Sequence, residues 1–72
     1  MDSLTEREYE VLKFAVRGMP NCEVAKKVFL TEHTVKAHMT SIMKKLRVTN
    51  RTGAAFVALT NNLIKYEDLY DV

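Results

Sequence analysis

The chain has 72 residues, enough for one small domain around one modest core and too few for separate sensory and output domains. Apolar residues make up 47% and charged residues 28%, a globular balance that argues against a disordered tail, and the single cysteine, Cys22, excludes an intramolecular disulfide or a multi-cysteine zinc site. The net charge is only +2, which taken alone does not point to a nucleic acid.

The pattern is helical throughout. It predicts an all-α domain of four helices over residues 6–17, 22–28, 32–46 and 51–61. In the first, Thr5 and Glu8 have the spacing of a capping box, in which hydroxyl and carboxylate each satisfy a free backbone N–H. Val11, Leu12 and Ala15 share one face, widened by Phe14 and Val16. Glu6, Glu10, Lys13 and Arg17 lie opposite. Gly18 ends the helix, with Pro20 soon after.

Asn21 is the expected N-cap of the second helix, whose apolar face is Val24, Ala25 and Val28. A tight turn at Phe29-Leu30-Thr31 follows. Thr31 caps the third helix, and Val35, Met39, Ile42 and Leu46 form its buried stripe. The fourth helix starts at Asn50 and is apolar on two sides. Ala54, Val57 and Ala58 form one, and Ala55, Phe56 and Leu59 form the other, with Leu63 beyond. Asn61 or Asn62 can supply its left-handed cap, and residues 64–72 form a short acidic segment.

The second and third helices make a helix-turn-helix candidate. The outward face of the third holds His33, Lys36, Ala37, Thr40 and Lys44, with no large apolar and no acidic side chain. Thr34, His38, Ser41 and Lys45 flank it. Long donors beside small residues suit a DNA groove. Lys36 can donate to guanine O6 or N7, Ala37 can meet a thymine methyl, and Thr40 can donate or accept. The charge is segregated to match. Residues 26–51 carry seven basic side chains (Lys26, Lys27, Lys36, Lys44, Lys45, Arg47 and Arg51) against Glu32, a net +6, while each end of the chain carries −2. Such a stripe is the footprint of phosphate contacts, here with Lys27, Lys44 and Arg51 as candidates.

Leu4-Thr5-x-Arg7-Glu8-x-Glu10-Val11-Leu12, Gly18-x-x-Asn21-x-Glu23-Val24-Ala25, Thr34-Val35-Lys36-x-His38, Lys45-Leu46-x-Val48 and Asn50-Arg51-Thr52 resemble the LuxR/GerE-type DNA-binding domain from about Leu4 to Leu63. The resemblance implies a bacterial transcription regulator with its third helix in the major groove of double-stranded DNA. It also implies a homodimer through the fourth helix, with Ala55, Phe56, Leu59 and Leu63 as candidate interface. It places Lys36, Ala37 and Thr40 at the bases and maps phosphate contacts onto Asn21, Thr34, His38 and Lys45; His33, on the same outward face, is a further base-reading candidate. RNA polymerase is a further partner it leaves open. Thr31 stands where the family usually has Ser, and Gly53 where a longer polar residue is common. Either a free-standing regulator or the output part of a longer one fits the resemblance.

The lysines can be an ordinary solvated face, His38 a surface histidine over the turn, Asn21 only a cap, and Cys22 structural. Met39 and Met43 read as core filler. His33 and His38 lie ~140° apart on a helix and have no supporting carboxylate cluster, so no metal site is expected. Phe56 and Leu59 can be covered by Tyr66 or Leu69 instead of by a partner. A protein-interaction co-regulator or anti-activator is the alternative function, and a sigma-factor promoter-recognition domain is the nearest rival of the same class. No nucleophile with a base, paired carboxylates or glycine-rich phosphate loop supports an enzyme, a cofactor or a small-molecule ligand. No apolar run approaches the ~20 residues of a membrane helix, and the acidic N-terminus is unlike a signal peptide, so no membrane association and a cytoplasmic location are expected.

Overall fold

The computed structural model describes residues 3–65 and Glu67. Among them the chain forms α1 (Glu6–Val16), α2 (Asn21–Val28), α3 (Glu32–Leu46) and α4 (Arg51–Thr60), the all-α order expected from the sequence. No helix among the described residues is long and apolar enough to cross a membrane.

One core joins all four helices. Val11, Leu12 and Ala15 of α1 meet Val24, Ala25 and Val28 of α2 and Val35, Met39, Ile42 and Leu46 of α3, while Ala54 and Ala58 of α4 close the remaining side. The predicted stripe of α3 is therefore buried at every position. Burial of each larger aliphatic contributes roughly 1.5–3 kcal/mol. The small side chains of Ala54 and Ala58 let the α4 backbone lie close against α1 and α3. Ile64, assigned by sequence to the acidic C-terminal segment, belongs to the core at 5% exposure.

The helix ends explain how so short a chain turns four times. α1 has the full capping box: the Thr5 hydroxyl accepts from the Glu8 N–H, and the Glu8 carboxylate accepts from the Thr5 N–H. The Thr31 and Asn50 side chains cap α3 and α4 by accepting from the N–H groups of Thr34 and Gly53. The expected cap of α2 is corrected. Pro20 takes that place, so α2 begins with Asn21 and has no side-chain cap. Proline's fixed φ suits the extended cap backbone, and the Pro20 carbonyl accepts from the N–H groups of Glu23 and Val24.

Each helix ends on a left-handed residue: Gly18, Phe29, Arg47 and Asn62, with φ of 91°, 59°, 59° and 57°. The next residue in each case is apolar (Met19, Leu30, Val48 and Leu63) and packs against the core. Its N–H donates back to the carbonyls of Phe14, Ala25, Met43 and Ala58 respectively. A left-handed step thus reverses the chain and returns an apolar side chain to the helix just completed. Gly18 and Asn62 suit that backbone, whereas Phe29 and Arg47 hold it against the preference of side chains with a Cβ.

Candidate nucleic-acid interface

α2 and α3 form the helix-turn-helix, joined through Phe29, Leu30 and Thr31. Two side chains of α1 brace it. Arg7 donates through Nη1 to the Val28 carbonyl at 3.0 Å, at the end of α2 where the helix dipole is negative. Glu8 faces α3. Its Oε2 accepts from the Ser41 hydroxyl at 2.7 Å, and its Oε1 accepts from the Lys45 ammonium at 2.7 Å and the Thr5 N–H at 2.8 Å.

Glu8 is 4% exposed. Burial alone pushes its carboxyl pKa up. Hydrogen bonds from Lys45, the Thr5 backbone and Ser41, together with the charge of Lys45, outweigh burial and hold it at about 2 against an ordinary 4.5. The carboxylate is ionised and saturated with donors, and it fixes one flank of α3 to α1.

The face of α3 beside this flank is open. His33, Lys36, Ala37, Thr40 and Lys44 are all exposed, and Thr34 and His38 are half-buried at its edge. The Thr40 hydroxyl donates to the Lys36 carbonyl at 3.1 Å, which commits its proton and leaves its lone pairs outward. The hydroxyls of Thr31 and Thr34 lie 2.9 Å apart. Lys27, near the end of α2, is exposed. No group of three or more potential metal ligands forms among the described residues.

Two basic residues expected at phosphates already have partners. The Lys45 side chain is 25% exposed and bound to Glu8. Arg51 turns its guanidinium inward, donating through Nη1 to Asn21 Oδ1 at 2.8 Å and through Nη2 to the Met19 carbonyl. The sequence signal for Glu8 was its capping spacing, which named one of its three bonds. Its bonds to Ser41 and Lys45 cross 33 and 37 positions and have no local signature.

On α4, Phe56 is 68% exposed and Ala55 and Leu59 are half-buried beside it. Leu63, placed by sequence on the same strip, packs partly against the core. Tyr66 and Leu69, the candidate covers for this strip, lie outside the described residues.

The family of bacterial regulatory proteins called luxR matches residues 2–58. The chain is 44% identical over 63 residues to the transcriptional regulatory protein LiaR of Bacillus subtilis, a match covering 88% of this chain and 30% of that protein. It is 42% identical over 64 residues to the response regulator protein VraR of Staphylococcus aureus, covering 89% and 31%. VraR of Staphylococcus epidermidis matches to the same extent. The chain thus spans less than a third of the length of these relatives.

Proposed function

The chain belongs to the luxR family of bacterial regulatory proteins, DNA-binding regulators and not enzymes, and on that premise we propose that this domain reads double-stranded DNA with α3 in the major groove. One observation carries the reading. The outward face of α3 is the one surface of that helix with no structural duty, and it lies within the +6 segment of the chain. Lys36 donates to a guanine edge, Ala37 leaves room for a thymine methyl, and His33 stands beside them. Thr40, its proton already committed to the backbone, accepts from an adenine or cytosine amino group.

Phosphates on either side are met by Asn21, Thr34, His38, Lys27 and Lys44, which set the register of the helix without reading sequence. Lys45 supports this face from behind through Glu8. Two copies pair through the apolar strip of α4, with Phe56 at its centre between Ala55 and Leu59 and Leu63 at its end. A twofold pair presents two inverted half-sites. Regulation of transcription then follows from contact with RNA polymerase, or its exclusion, at the bound site, which places the protein in the cytoplasm.

Selection of bound sequences from a random DNA pool tests the whole reading. An inverted repeat is the expected result. A single, unrepeated motif overturns pairing through α4. Absence of binding at low salt overturns DNA reading and favours a protein-interaction module.

A further inference from the structure

The first residue of α4 sits awkwardly for an exposed phosphate ligand. A positive charge at a helix N-terminus opposes the dipole, and no acidic residue stands in the first turn of α4 to offset it. Arg51 instead reaches across to the segment between α1 and α2, where both terminal nitrogens of its guanidinium are engaged. Its partners are the Met19 carbonyl and Asn21 Oδ1.

A guanidinium has five N–H donors and no acceptor. The amide oxygen of Asn21 must therefore face Arg51, and the Nδ2 group must point away. Among the described residues Nδ2 has no hydrogen-bond partner. Asn21 is thereby fixed as a donor, the chemistry that a phosphodiester oxygen takes. It stands at the start of a helix that no side chain caps.

We propose that Arg51 is a positioning residue for the DNA backbone contact of Asn21. It holds the amide with its NH2 group presented to a phosphate and does not touch DNA itself. This rests on the reading above that Asn21 meets a phosphate.

The test uses the full chain and a fluorescein-labelled, mixed-sequence DNA duplex, because a phosphate contact is independent of sequence. Affinity is read by anisotropy over a salt series for the parent, Asn21→Ala, Arg51→Gln, Arg51→Lys and the double variant Asn21→Ala/Arg51→Gln, with folding checked by circular dichroism. Each of Asn21→Ala and Arg51→Gln is expected to weaken binding roughly 10–100-fold, in line with loss of one hydrogen bond to a charged group. The double variant should bind no more weakly than the weaker single variant. The slope of log affinity against log salt should not change in Arg51→Gln, whereas a direct contact would lower it by about 0.9. Arg51→Lys keeps the charge but not the fork, so it should bind as weakly as Arg51→Gln. It carries the test if the Gln variant fails to fold.

Multiplying losses in the double variant, a fall in slope, or recovery by Lys would each overturn the positioning role and leave the Asn21 contact standing. An Asn21→Ala variant that binds like the parent removes the Asn21 contact, and the inference with it.

Discussion

The ammonium of Lys45 lies 2.7 Å from Oε1 of Glu8, a residue 37 positions earlier in the chain. This contact joins the last turn of α3 to the first turn of α1 and binds α3 to the body of the domain.

A pH dependence follows. Glu8 ionises at about 2 in the folded domain, below its ordinary 4.5. A carboxyl group with a depressed folded pKa stabilises the fold above its ordinary value, and that contribution is lost as pH falls from about 4.5 through about 2. Glu8→Gln is expected to cost on the order of 2–3 kcal/mol at neutral pH, somewhat less than the loss of a wholly buried ion pair because Lys45 retains access to water. Urea unfolding of parent and variant measures the gap. It should close as the pH approaches about 2, and a gap that stays constant would remove the carboxylate from this role.

The proposed roles of Lys36 and Lys44 separate base reading from backbone attachment. Lys36→Ala should cost about 1–3 kcal/mol on the preferred sequence and flatten discrimination at one base position. Lys44→Ala should weaken all sequences alike and lower the salt slope by about 1. Gel-shift titrations against a panel of single-base variants check both, and equal behaviour of the two variants would refute the division.

Phe56 is the one large apolar side chain of α4 that is exposed. Phe56→Glu should leave the monomer's unfolding free energy within about 0.5 kcal/mol, since little of the ring is buried. It should abolish pairing in sedimentation equilibrium and cooperative filling of two half-sites. A variant that still pairs would move the interface elsewhere.

Phe29 is 92% exposed and left-handed, so its side chain contributes little packing while its Cβ opposes the backbone. Phe29→Gly relieves about 1–2 kcal/mol of steric cost. It adds about 0.5–1 kcal/mol of unfolded-state entropy. A net gain of about 0.5–1 kcal/mol is expected from thermal or urea unfolding. A loss would show that the ring does more for the isolated domain than its exposure suggests.

The sequence reveals whatever is periodic or local. Val35, Met39, Ile42 and Leu46 recur at helical spacing and are all buried, and the Thr5–Glu8 and Thr31 caps depend only on near neighbours. The assignment of Asn21 as a cap failed because composition favours Asn there while the chain places proline in the extended position. Ile64 lies beyond the last periodic segment, and its burial depends on a left-handed turn at Asn62 that two adjacent asparagines made ambiguous. For Lys45 and Arg51, charge was legible but direction was not. A basic side chain in a basic segment looks the same in sequence whether it faces a phosphate or an oxygen of its own protein.

The division of labour around α3 bears on how such a domain changes its target. The stripe that holds the fold is on another side of the helix from Lys36, Ala37 and Thr40, and the row bound to Glu8 runs beside them. Substitutions at these three exposed positions therefore leave the core intact. On the proposed reading of these positions as base contacts, a lineage can exchange one operator for another by drift through folded intermediates, and a designer can randomise the same three positions in a library without first rebuilding the core.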